Sequence, residues 1–281
     1  MADIHGNLPA LEAALSDVDA HAVDGVVVAG DIACGIHQNE IVRRLRSLGC
    51  FMIRGNGDNY LLHFDAAAPS DPSRASRQWA FVRWCYGRIE RETLDFLAAL
   101  PEQRVVALPG TAPIRVVHGS PRHVNELIYP DRDPARLDAA LALVDEPVLV
   151  CAHTHIPWKV QRGDRLALNP GAICGPVNGD VRAQYALLDW DGVRWRATHR
   201  AVPYDLDRVR ADFQESGVLE AGGAYARAIL LNIETGRNVA GDLLAHVFAV
   251  AEKAGLNDRR VIPDAIWDAA AATFRWDELP G

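Results

Sequence analysis

Short apolar runs alternate with helix-patterned stretches through the first two-thirds of this 281-residue chain. DGVVVAGD (24–31), FMIRGN (51–56), IRVVHG (114–119) and EPVLVCAHTH (146–155) are apolar or β-branched runs closed by Gly, Asn or His, the pattern of buried strands. Between them, LPALEAALSDVDA (8–20), NEIVRRLRSL (39–48), residues 74–100 and DPARLDAALALV (133–144) carry helical spacing and composition. WKVQR, RLALN, QYALLDW and VRWRATH follow as short strands, joined by turns such as Arg162-Gly163-Asp164 and Asp191-Gly192. From Tyr204 onward the pattern is helical, with Ala- and Leu-rich segments around 218–232, 237–254 and 263–274. The pattern predicts a layered α/β domain over 1–203 and a helical C-terminal extension over 204–281 packed on it. Met1 and Ala2 leave almost no strand ahead of Asp3, whereas the other runs have four or five residues there. Either this strand is missing or the start lies downstream of the true one, and we expect the latter.

What closes each run matters more than the run itself. Asp3-Ile4-His5-Gly6-Asn7, Gly30-Asp31, Gly55-Asn56, His118-Gly119 and His153-Thr154-His155 all stand at carboxyl ends, where open α/β sheets gather ligands. Asp-x-His and His-x-His put two side chains on one side of an extended backbone. Adjacent glycines allow sharp turns and close approach. Asp3, Asp31, His5, His118, His153, His155 and Asn56 amount to two carboxylates, four imidazoles and one amide oxygen. Such a mixed N/O set suits Mn, Fe, Zn, Co or Ni rather than Ca or Mg alone. It also exceeds the needs of one tetrahedral zinc, which points to two ions sharing a ligand.

Composition narrows the alternatives. A 49% hydrophobic content supports a large core, and the net charge of -8 disfavours a tight nucleic-acid partner. No run of about 18 apolar residues predicts a membrane span, and MADIHGN lacks the pattern of a signal peptide. The five cysteines are scattered, odd in number and never spaced C-x-x-C, which argues against disulfides and a zinc ribbon and favours the cytoplasm. The sequence leaves the oligomeric state open.

In order, these blocks resemble the calcineurin-like metallophosphoesterase superfamily, whose pattern is D-x-H, G-D, G-N-H-[DE], H and G-H-x-H. The match spans residues 3–155. HGSPR (118–122), LNPGA (168–172) and HRAVPYD (199–205) are similar to its bacterial phosphodiesterase branch, extending the likeness to about residue 205. The resemblance implies a four-layer α/β/β/α sandwich with a dinuclear site at one sheet edge. It places Asp3, His5 and His155 on one metal, Asn56, His118 and His153 on the other, and Asp31 between them. Two divalent ions are implied, with Mn first, and a bridging hydroxide as nucleophile. Asp31, Asn56 and His118 are the candidates for direct catalytic roles, and Asn7 and Arg122 for contacts with a small phosphoester substrate.

Two residues depart from the family pattern. Gly57 stands where many relatives carry His, removing an imidazole that touches phosphate or protonates the leaving group. The resemblance therefore implies a phosphodiesterase rather than an efficient monoesterase. Ala152 replaces the Gly of G-H-x-H, a small-for-small change. His37 and His123, in loops near the site, are candidates for the lost proton donor. Asn56 reads as a ligand held out by a glycine loop rather than as a hairpin corner. His21, His63, His199 and His246 read as surface or packing residues. A phosphomonoesterase or a nucleotide or protein phosphatase on the same fold, and a non-catalytic scaffold, remain the competing readings.

Overall fold

The computed structural model describes residues 1–276. Strands β1 (Val27–Ala29) and β2 (Phe51–Ile53) pair in parallel, with Val28 opposite Met52. Residues 1–3 continue this sheet although they are too few to form a regular strand. The Ala29 N–H donates to the Met1 carbonyl (2.9 Å) and the Asp3 N–H to the Gly30 carbonyl (3.1 Å). On their other side, Ile173 and Cys174 N–H groups donate to the carbonyls of Ala2 and Asp3 at 3.0 and 2.8 Å. The backbone ahead of Asp3 is thus hydrogen-bonded on both flanks, and short as it is, it anchors the first loop.

A second sheet contains β3 (Gln103–Val106), β4 (Ile114–Val117), β5 (Val148–Val150), β6 (Trp158–Arg162) and β7 (Arg165–Asn169), in the order β3-β4-β5-β7-β6. Its three central strands are parallel and its two edges antiparallel. The hairpin of β8 (Ala183–Trp190) and β9 (Trp195–Val202) adjoins residues 172–174 through the Gln184 N–H, 2.8 Å from the Ala172 carbonyl. The sequence pattern missed β3. It is an edge strand, largely exposed along one side, and so carries no continuous apolar run.

The layers follow from which faces are apolar. Ala2, Ala29 and Ile53 of the first sheet meet Val116, Val150 and Leu168 of the second, forming a core between the sheets. Helices α1 (Leu8–Asp19), α2 (Gln38–Ser47), α3 (Asn56–Ala66), α4 (Ala80–Tyr86) and α5 (Arg91–Ala99) flank the first sheet. In α1 the stripe Leu11, Ala14, Leu15, Val18 faces inward at helical spacing, and the Asn7 carboxamide caps the start by accepting from Ala10 N–H. Helix α6 (Pro134–Leu141) covers the second sheet, with Leu137 and Leu141 against Val117, Leu149 and Ala167. The architecture is thus the α/β/β/α sandwich.

Two helical regions differ from their sequence pattern. Residues 74–100 form two helices rather than one continuous segment, broken between Tyr86 and Arg91. Helix α3 begins where Gly55-Asn56-Gly57 reads as a glycine loop. The Asp58 carboxylate accepts the Gly55 N–H at 2.9 Å and so nucleates a helix from turn-like residues.

The C-terminal extension comprises α7 (Leu206–Glu215), α8 (Val218–Thr235), α9 (Val239–Lys253) and α10 (Asp264–Thr273). Leu243, Val247, Trp267 and Ala270 build a core of its own, while Ala226 and Ile233 of α8 pack into the main one. Gly223, at φ 60° and ψ -140°, kinks α8 where a side chain would resist that backbone.

Candidate metal centre

The loops that follow the strands hold their polar groups in unusual backbone conformations. Asp3, His5, Asp31, His153 and His155 have φ of 54°, 44°, 52°, 67° and 56°. Left-handed conformations cost non-glycine residues of order 1–3 kcal/mol each and persist only where the surroundings impose them. Their concentration in the residues singled out from the sequence marks a functional constraint that periodicity could not reveal. Gly30 is needed for close approach, since a Cβ there would lie 2.8 Å from Gly55 Cα and from His118 Nδ1.

Two clusters form. Asp3, His5 and His155 make one, and Asp31, His118 and His153 the other, with donor atoms within 4.8 Å of one another in each. His155 Nε2 lies 3.5 Å from Asp3 Oδ1 and 3.3 Å from His5 Nε2. His118 Nε2 lies 2.8 Å from Asn56 Oδ1. Asp31 Oδ2 is 3.4 Å from both His5 Nε2 and His118 Nε2, and so stands between the clusters. Asn56 is the first residue of α3, neither a hairpin corner nor free loop.

The chemistry of these atoms fits divalent cations. His118 Nδ1 faces the Ala29 carbonyl at 2.8 Å, and His155 Nδ1 faces the Gly175 carbonyl at 2.9 Å. A carbonyl only accepts, so each Nδ1 carries the proton, and in the neutral ring Nε2 turns a lone pair inward. Those lone pairs meet further acceptors: the Asn56 amide oxygen and the Asp3 carboxylate. Both Asp3 oxygens are buried with no hydrogen-bond donor among the described residues. Acceptors crowded around one point are costly unless a cation joins them.

Protein charge alone compensates only in part. Burial disfavours a charged His118, yet Asp31 and Asp3 raise its pKa to about 9. His153 is depressed to about 4 by burial and by His118. Burial also opposes ionisation of Asp31, but His118 and His5 hold its carboxyl well below the usual range. The cluster draws in a proton where a metal would supply charge.

Neighbouring groups brace the candidate ligands. Asp31 Oδ1 accepts the Gly57 N–H at 2.7 Å. Asp58, fully buried, accepts from Ile32, Ala33 and Gly55 and ties two ligand loops together. Burial and Asp31 raise its pKa to about 6. Asn169 was missed by the sequence reading. Its Nδ2 donates to the Ala152 carbonyl (2.9 Å) and Thr154 Oγ1 (3.0 Å), and its Oδ1 accepts from Gly171 N–H (2.8 Å), bracing the His153–His155 loop. The LNPGA phrase was its only sequence signal. His199 Nε2 meets the Asn169 carbonyl at 2.7 Å, a packing role.

The remaining candidates separate. A cavity of about 630 Å³ opens from the clusters, and Asn7 and His37 line it. His37 Nε2 pairs with Asp212 Oδ2 at 2.9 Å. Arg122 is held by Glu126 at 2.6 Å and is not among the lining residues. His123 Nδ1 accepts from the Asn125 N–H at 3.1 Å and also lies away from the lining. No helix among the described residues is long and apolar enough to cross a membrane.

Known proteins of similar sequence and structure identify the family. The model of the calcineurin-like phosphoesterase superfamily domain matches residues 1–192. Protein MJ0912 of Methanocaldococcus jannaschii is 28% identical over 207 residues, covering 67% of this chain and 81% of that protein. Phosphodiesterase YfcE of Escherichia coli is 28% identical over 204 residues, covering 67% of this chain and 85% of its own. A metallophosphoesterase from Sphaerobacter thermophilus has a similar structure, with a TM-score of 0.67 and 28% identity over 84% of this chain and 98% of that one. That coverage is more than residues 1–205 can supply, so the likeness reaches into the helical extension, which the sequence phrases left unmatched.

Proposed function

Because this chain belongs to the calcineurin-like phosphoesterase superfamily, we propose that it is a phosphodiesterase working with two divalent ions. Asp3, His5 and His155 would hold one ion, Asn56, His118 and His153 the other, and Asp31 both. The carrying observation is Asp31 Oδ2, equidistant at 3.4 Å from an imidazole nitrogen of each cluster. Manganese, which the family resemblance puts first, is among the ions this N/O set suits, with Fe, Zn, Co and Ni. When bound, such ions neutralise phosphate charge and make a water more acidic.

The chain's own groups orient and exclude. His118 and His155 keep their protons on Nδ1, against backbone carbonyls, so Nε2 stays available to the site. The Gly57 N–H fixes the Asp31 carboxylate. At Gly57 no imidazole is present to meet a dianionic monoester or to protonate its leaving group, assistance worth about 10²–10⁴-fold. A monoanionic diester with a good leaving group depends less on such help. The name of YfcE, a phosphodiesterase, supports the same preference.

The test is turnover of bis(p-nitrophenyl) phosphate and of p-nitrophenyl phosphate by manganese-loaded protein. Diester hydrolysis well above monoester hydrolysis is expected. Hydrolysis of the monoester alone would overturn the preference, and inactivity on both with metal bound would favour a scaffold.

A further inference from the structure

We propose that the substrate carries one large, uncharged, apolar ester group, and that this group lies in the chamber between the ligand loops and helices α8 and α9. The inference rests on the phosphodiester reading and adds the substrate class. A cavity of about 630 Å³ falls in the range that encloses an organic ligand of many atoms, roughly 300–1,000 Å³. A short ester would leave most of it unfilled.

Two kinds of side chain line this cavity. His5, Asp31, Asn56, His153 and His155 bring polar groups. Phe81, Tyr225, Ile229, Ile233, Leu244 and Phe248 bring apolar and aromatic surface, and most of them come from the C-terminal extension.

Several polar side chains among those walls already hold partners within the protein. Gln78 donates through Nε2 to the Arg259 carbonyl (3.0 Å) and accepts the Ile262 N–H through Oε1 (2.7 Å). Trp79 Nε1 donates to the Arg260 carbonyl at 2.9 Å. Asn232 and Asn238 accept the N–H groups of Ala240 and Gly241 at 2.9 and 3.2 Å. His37 and Asp212 satisfy each other, and the exposed Arg259 guanidinium stacks 5.0 Å from the Phe248 ring. A hydrocarbon entering here leaves these bonds intact and gains apolar contact. Hydrolysis then forms one P–O bond from water oxygen and breaks one P–O ester bond. Water's protons pass to the products, a phosphomonoester and an alcohol.

The experiment uses manganese-loaded full-length protein and p-nitrophenyl alkyl phosphodiesters with methyl, butyl and octyl groups, all releasing the same p-nitrophenolate. A methylene is worth about fourfold when fully buried. The expected kcat/KM therefore rises by tens of fold from methyl to butyl and further to octyl, and Leu244→Gln flattens the series. A flat or falling series in the wild-type protein overturns the proposal. So does faster turnover of the p-nitrophenyl ester of thymidine 5′-phosphate than of the octyl ester. If no ester is hydrolysed, the phosphodiesterase reading fails by itself. Calorimetric binding of methyl alkyl phosphates of the same chain lengths then decides the chamber: Kd falling with length upholds it, and constant Kd refutes it.

Discussion

Replacing Asp3 by Asn should make the metal-free protein more stable while removing its response to metal. Both Asp3 oxygens are buried without a donor, and imidazole nitrogens face Oδ1 from His155 Nε2 at 3.5 Å and His118 Nε2 at 3.9 Å. The substitution replaces one of those oxygens by an amide N–H group that can donate to the lone pair of His155 Nε2. An unsatisfied buried polar atom costs about 1–3 kcal/mol. Relief of one orphan acceptor, less the pairing of Asp3 with His118, should yield roughly 1–2 kcal/mol. For a chain of this size that corresponds to a Tm increase of roughly 2–8 °C in EDTA. With manganese the order should reverse. Ligand at 100 times Kd stabilises the wild-type protein by about 2.7 kcal/mol, and the variant should gain little of this. Thermal unfolding with EDTA and with manganese reads both effects. A metal-free variant less stable than wild type, or one that manganese stabilises equally, would refute the reasoning.

Three further substitutions test the surrounding framework. Gly30→Ala places a Cβ 2.8 Å from Gly55 Cα at φ +89°; strain and overpacking together should cost about 2–5 kcal/mol in a denaturant titration. Asn169→Ala frees the His153–His155 loop and should weaken manganese binding by about 10–100-fold in calorimetry, with the fold retained by circular dichroism. Asp17 accepts from Arg200 Nη2 at 2.7 Å and from the Tyr185 hydroxyl at 2.7 Å, and these bonds, Arg200's first, lower its pKa. The unfolded state therefore binds more protons as the solution is acidified. The wild-type advantage over Asp17→Asn should be complete above about pH 5 and shrink as the pH falls below about 4; an advantage independent of pH would show that the ion pair contributes nothing.

Most of the candidate ligands were legible because they follow a strand whose apolar pattern is strong, as in Val27–Ala29 before Asp31 and Val148–Val150 before His153, whereas Asp3 follows only Met1 and Ala2. Helix α3 and strand β3 were not legible for opposite reasons. Asn56-Gly57-Asp58 has turn composition, and only the carboxylate of Asp58 bonded to Gly55 makes it a helix start. Residues 103–106 carry a single buried position, so β3 shows no apolar run and is defined by its antiparallel pairing with β4.

Sequence alone determined the kinds of group available: two carboxylates, four imidazoles and an amide, each at the end of a buried run, together with a glycine where an imidazole could have stood. Local order suffices for this because strand periodicity and residue chemistry are both written over a few adjacent positions. Tertiary structure decided the rest. It turned five of these residues into left-handed conformations, put Asp31 between the clusters, set Arg122 against Glu126, and brought α8 and α9 over the site as an apolar wall. Those outcomes depend on which distant surfaces pack together, and long-range packing is the sum of many contacts that no short stretch of chain records.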